Sequence, residues 1–172
     1  MYKKIMSLKP IKFLLFVLVL ISTTSKSFAS PPVAIFKDWT VFATKQGDKE
    51  LCYIASLPFE QDGNYKKRGE PFFTVTRIKK NEFDEVNVTS GYIYKMGKDV
   101  EIEIENNKFV LFPYEERAWA SNRSEDMAII DKMKTGLKMK VVGYSTLDTN
   151  SVDTYSLRGF TDAYNKMVEI CK

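Results

Sequence analysis

Val152–Lys172 reads VDTYSLRGFTDAYNKMVEICK, and the reading of the fold turns on it. Val152–Leu157 is a short run of β-branched and aromatic residues, which favours a strand. Arg158-Gly159 breaks it. Thr161–Cys171 has helical character, with Thr161 as expected N-cap and Asp162 in the first turn, where the helix dipole favours an anion. Ala163, Met167, Ile170 and Cys171 recur at helical spacing, so the apolar face ends in a thiol. The only other cysteine is Cys52. The spacing predicts a last strand and a last helix that close the fold against its N-terminal part.

At the other end, Lys3, Lys4, Lys9 and Lys12 precede nine unbroken apolar residues, Phe13–Ile21, and Ser27-Phe28-Ala29 supplies small residues for a peptidase. That order is a secretory signal peptide cut after Ala29. A membrane anchor would need roughly 20 apolar residues. No cysteine adjoins the cut for lipid attachment. The expected organisation is a signal at 1–29 and one domain at 30–172. Residues 1–29 hold five lysines and no acid, so the chain's 26 basic and 22 acidic residues become 21 and 22 after cleavage, a net charge of −1. The basic balance belongs to the signal and gives no reason to expect a nucleic-acid partner.

Ser30–Lys37 reads as a proline-marked lead-in. Asp38–Lys45 and Glu50–Leu57 read as a hairpin about the turn Gln46–Lys49. Phe59–Glu70 reads as a polar loop, in which Lys66, Lys67 and Arg68 form a solvated tip or an anion patch. Pro71–Lys80 is a strand whose inward face is ambiguous. Glu82–Glu85 is turn-like, and Val86–Tyr94 is a strand with Gly91 as a point of close approach.

Asp99–Glu105 alternates strictly, apolar Val100, Ile102 and Ile104 against four acids. The acids make no calcium site: same-face neighbours stand about 6.5–7 Å apart, and two oxygens on one Ca²⁺ are at most about 5 Å apart. Lys108–Phe112 returns as a strand after an Asn106-Asn107 turn. Ser124 is the expected cap of a helix over Glu125–Thr135, with Met127, Ile130 and Met133 as its stripe and Gly136 as its stop. Leu137–Ser145 is a strand and Leu147–Ser151 a loop. About eight strands and two helices make a mainly β single domain, an antiparallel sandwich with two short helices at its rims.

The composition limits the chemistry. With no histidine there is no Ser-His-Asp triad, Cys-His pair or His-ligated zinc. No nucleotide-binding glycine motif appears, and no cofactor or metal is expected. Glu115-Glu116 is the most visible carboxylate pair for hydrolysis, but adjacent residues usually point apart. Trp119 and Tyr155 stand beside turns, where a binding anchor and a core aromatic are both open readings; with Arg158 they are the candidate binding residues.

Combined in order, Asp38-Trp39, Val41-Phe42, Cys52, Arg68-Gly69-Glu70, Gly91-Tyr92, Phe109–Phe112, Ala118-Trp119-Ala120, Met133-Lys134-x-Gly136, Gly143-x-Ser145, Asp153–Leu157, Gly159-Phe160 and Cys171 resemble the invasion-associated locus B family of secreted α-proteobacterial proteins. The resemblance implies an envelope protein in the periplasm, or secreted to the cell surface, of a Gram-negative bacterium, in some pathogens linked to host-cell entry, and supplies no catalytic residue. Two features depart from it. Leu147-Asp148-Thr149 stands where many members carry a small-Arg-Gly-Thr run, which puts an anion site there in doubt. Ala43 stands where some members have a further cysteine. The expected function is a non-enzymatic module that binds a protein or an envelope component, with a small-substrate hydrolase using carboxylates and tyrosines as the alternative. In an oxidising compartment, Cys52 and Cys171 are expected to form a disulfide, with buried free thiols or intermolecular pairing as the alternatives.

Overall fold

Alternation of apolar and polar residues makes about half of the described residues strand, and short turns make neighbouring strands antiparallel. The computed structural model describes residues 31–47, 49–79 and 83–172. The signal-peptide reading of 1–29 lies outside them, as do Asp48 of the first hairpin turn and Lys80–Glu82. The strands are β1 (Pro32–Phe36), β2 (Trp39–Gln46), β3 (Lys49–Ser56), β4 (Glu60–Gly63), β5 (Phe72–Ile78), β6 (Asp84–Thr89), β7 (Val100–Ile104), β8 (Asn107–Tyr114), β9 (Arg117–Trp119), β10 (Lys138–Tyr144) and β11 (Asn150–Ser156); the helices are α1 (Arg123–Thr135) and α2 (Phe160–Ile170).

All pairings are antiparallel, in the order β1-β2-β3-β5-β6-β9-β8-β7-β10-β11-β4. This single sheet bends back on itself. Trp39 Nε1 of β2 donates to Ser156 O of β11 at 2.9 Å, and the Phe73 and Tyr155 rings of β5 and β11 meet edge-on at 5.9 Å. The sandwich-like, mainly β fold with two helices is as expected, with one core. Helix α1 packs on β6 and β8, α2 on β1, β2 and β3, and the helices touch each other.

Among the described residues the sheet has eleven strands rather than about eight. The proline-marked lead-in is β1, the polar loop contains β4, and Ala118-Trp119-Ala120 contains β9. Asp84 and Glu85 belong to β6, not to a turn. That strand ends at Thr89, because Gly91 turns the chain at φ +76° and a Cβ there would lie 2.2 Å from Gly69 O. Tyr94 rejoins the sheet only as a bridge to Ser145. On β5 the inward set is Phe73 and Val75, both buried, followed by Arg77, whose charge is met by buried Asp84 at 2.6 Å.

Both helix starts differ from expectation. Helix α1 is capped by Asn122, whose side chain accepts from Glu125 N at 3.1 Å, not by Ser124. Glu125 Oε2 reaches back to accept from Ser121 N, a near relative of the capping box. Helix α2 starts at Gly159, φ +86°, where a Cβ would stand 2.1 Å from Phe36 O. Thr161 lies inside the helix, and its hydroxyl donates to Lys134 O, tying α2 to the end of α1. The buried face of α2 is Phe160, Ala163, Tyr164 and Met167, with Ile170 only partly covered.

The inner face of α1 is Ile129, Ile130 and Met133 together with buried Asp126; Met127 is half-buried and Ala128 exposed. Ile130→Ala is expected to lower stability by about 2–5 kcal/mol, and Lys132→Ala, on the solvent side, by under about 0.5 kcal/mol. Urea unfolding checks both; equal small losses would mean that α1 does not brace the sheet.

Candidate functional site

In the loop read over Phe59–Glu70, Lys66, Lys67 and Arg68 are expected to form a solvated tip or an anion patch. Lys66 and Lys67 are exposed, but the Arg68 side chain turns inward and is buried. Its Nη1 donates to Asp153 Oδ2 at 2.7 Å and to Ser90 O at 3.0 Å; its Nη2 donates to Asp153 Oδ1 and to Gln61 Oε1. The guanidinium also lies 4.3 Å from the Tyr65 ring centroid. Gly69 N donates to Gly91 O at 2.7 Å, which locks the adjoining backbone. Around this pair stand Tyr92 Oη on Ser151 Oγ and Tyr94 Oη on Ser90 Oγ, both 2.8 Å.

Burial opposes ionisation of Tyr92, Tyr94 and Tyr155. It pushes the Tyr94 and Tyr155 hydroxyls well up, so both stay protonated at neutral pH and neither is a ready base. On Arg68, burial pulls the guanidinium pKa down, and hydrogen bonding and charge from Asp153 overcome it, leaving it raised. The arrangement fastens a long loop to β11. Tyr155, a candidate binding residue, is thus a core residue, wholly buried against Phe73.

Trp119 sits elsewhere. It is half-buried on the outer face of β9, directly opposite Phe112 of β8, and the two rings stack at 5.9 Å. Strand alternation sends Leu111 inward and its neighbours Val110 and Phe112 outward, with Tyr114 continuing the outward set. These three are 50%, 46% and 57% exposed, an apolar row on a strand where a solvated face would carry polar residues. Ile93, Tyr114 and Trp119 line a cleft of about 320 Å³ at the end of this row, with Glu115, Glu116 and Arg117. Arg117 lies opposite Tyr114, donates to Asn87 Oδ1 at 2.7 Å and covers the Phe72 ring. The Glu115-Glu116 pair forms the β8–β9 turn, with Glu115 at φ +53°.

Arg158 is exposed in a third place, a groove beside Leu57, Phe59 and Leu137. The three candidate binding residues are therefore not brought together. From the sequence Phe112, like Trp119, reads as either a core aromatic or a binding anchor, since Phe109–Phe112 reads equally well with either face inward; Tyr114 reads as part of a Pro113–Arg117 turn, and its place on the exposed row comes only with the structure. The acidic stripe on β7 faces lysines: Glu103 is paired across the sheet with Lys108 and with Lys140. Among the described residues no cluster of three potential metal ligands occurs, and no helix is long and apolar enough to cross a membrane. Cys52 and Cys171 are joined, Cα to Cα 6.0 Å, with both residues buried.

A family model described as Invasion associated locus B (IalB) protein matches residues 39–168. The crystal structure of invasion associated protein B from Bartonella henselae is similar with a TM-score of 0.56 and 13% identity, over 80% of this chain and 95% of that one, a likeness of fold. No curated protein matches the chain.

Proposed function

The chain belongs to the Invasion associated locus B family, and from that premise we propose that it is an exported envelope protein that acts by binding. Its partner is a protein, held on the outer face of β8 and β9. The observation that carries this reading is the exposed row Val110, Phe112 and Tyr114 beside half-buried Trp119. Contiguous apolar surface of this kind marks interaction sites, and Trp, Tyr and Arg are the residues that most often dominate binding energy. Arg117, held by Asn87 against the Phe72 ring, adds an oriented cation at the rim. The acids of the cleft, Glu115 and Glu116, are adjacent exposed residues of the β8–β9 turn, an arrangement that favours binding over hydrolysis.

A photo-crosslinking residue at Phe112, in cells of the native host, is expected to trap a discrete protein adduct. The same residue at Lys132, on the solvent side of α1, should trap none. Trp119→Ala should abolish the Phe112 adduct without lowering the amount of exported protein. Equal adducts at both positions, or an adduct indifferent to Trp119→Ala, would overturn the assignment of this face.

A further inference from the structure

The β10–β11 end of the sheet carries a second exposed apolar group, far from Trp119 in register and different in kind. Leu57, Phe59 and Leu137 are 54%, 56% and 73% exposed and together line a groove of about 490 Å³, within the size range of small-ligand sites. Lys138 and Arg158 flank it, with Asp38 as the one acid in the lining, so the groove has a net charge of +1. Lys138 Nζ lies 5.3 Å from the Phe59 ring centroid. Among the described residues neither cation is in an ion pair.

The main chain narrows the choice of occupant. Asp38 N donates to Arg158 O, Phe59 N to Thr154 O, Leu137 N to Glu105 Oε1 and Arg158 N to Ser156 Oγ. A peptide lying in the groove would find these donors already used, and its own buried polar groups would go unmet. An alkyl chain needs no such partners and gains from covering Leu57, Phe59 and Leu137. A single anionic head matches the net charge, and a carboxylate matches the two-pronged geometry of a guanidinium.

We infer that this groove binds a long-chain fatty acid, its chain along Leu57, Phe59 and Leu137 and its carboxylate on Arg158 beside Lys138. The test is titration of the exported protein with dodecanoate below its micelle concentration, followed by amide chemical shifts. Saturable shifts are expected at Leu57, Phe59 and Leu137. Arg158→Glu and Leu137→Asp, both at exposed positions, should each weaken binding by about tenfold or more. Acetate, which has the head without the chain, should not bind at the same concentrations, and dodecyltrimethylammonium, which has the chain with the wrong charge, should bind about tenfold more weakly. Trp119→Ala should leave dodecanoate binding unchanged, which separates this groove from the β8–β9 face. Equal binding of the cationic amphiphile, indifference to Arg158→Glu, or tighter binding of a peptide ending in apolar residues would overturn the inference.

Discussion

Replacing both cysteines, Cys52→Ser with Cys171→Ser, is expected to lower stability by up to about 5 kcal/mol, the chain-entropy figure for closing a loop of this length. The two residues are 119 positions apart. The long loop makes the effect large, because an uncrosslinked denatured chain regains the freedom that the bond removes. The figure is a ceiling, since a denatured chain with residual structure has less freedom to regain. The bond also holds the end of α2. At its start the helix is fixed by the Gly159 turn against Phe36 and by the Trp39–Phe160 contact at 4.9 Å. At its finish Cys171 alone joins it covalently to β3. Without that link the last turn is expected to fray. Urea unfolding of the oxidised protein and of the double serine variant checks the magnitude, and amide exchange at Val168–Cys171 checks the location. A loss below about 1 kcal/mol, with unchanged exchange, would mean that packing alone closes the fold.

The disulfide was legible because it needed only two readings of the sequence: an expected oxidising destination and two cysteines on apolar faces. On β3, Cys52 shares a face with Ile54, and on α2, Cys171 continues the line of Ala163 and Met167. The structure adds what sequence could not, that Ala43 stands directly opposite Cys52 across β2 and β3. A cysteine there, as in some family members, would face the same sulfur. Strand β7 was equally legible, since strict alternation of Val100, Ile102 and Ile104 with acids permits one orientation. Strand β4 was not. Glu-Gln-Asp-Gly has no apolar residue and all four are exposed; it is a strand only because β11 offers it a main-chain edge. Pairing of that kind leaves no mark on side-chain pattern.

The aromatic face was half legible. Trp119 and Phe112 stood out as residue types, but their pairing did not, and Tyr114 reads as part of a turn. Phe109, Val110, Leu111 and Phe112 are all apolar, so alternation gives no sign of which pair faces water. Register decides it: Phe112 lies opposite Trp119, and Leu111 lies opposite Val100 of the core. Tyr155 and Arg158, close in sequence, part company because β11 ends between them, leaving Tyr155 inside and Arg158 outside.

Arg68 was the residue least legible, and it carries the other large expected effect. Beside Lys66 and Lys67 it reads as one more solvated cation, yet it is the buried partner of a buried aspartate 85 positions away. Removing one member of such a pair strands the other charge in a poorly solvated interior. Arg68→Met and Asp153→Leu are therefore each expected to cost about 3–5 kcal/mol, whereas Lys66→Ala and Lys67→Ala should each cost under about 0.5 kcal/mol. Replacing both together, Arg68→Met with Asp153→Leu, removes the stranded charge, and stability should return to within about 1–2 kcal/mol of the parent, because a buried ion pair gains little over an apolar pair of similar volume. Some deficit should remain, since Ser90 O and Gln61 Oε1 lose their donor. Urea unfolding of the four proteins in the cycle gives the coupling directly. If the double variant falls by the sum of the two singles, Arg68 and Asp153 act independently, and the loop is held by the Gly69–Gly91 backbone contact instead.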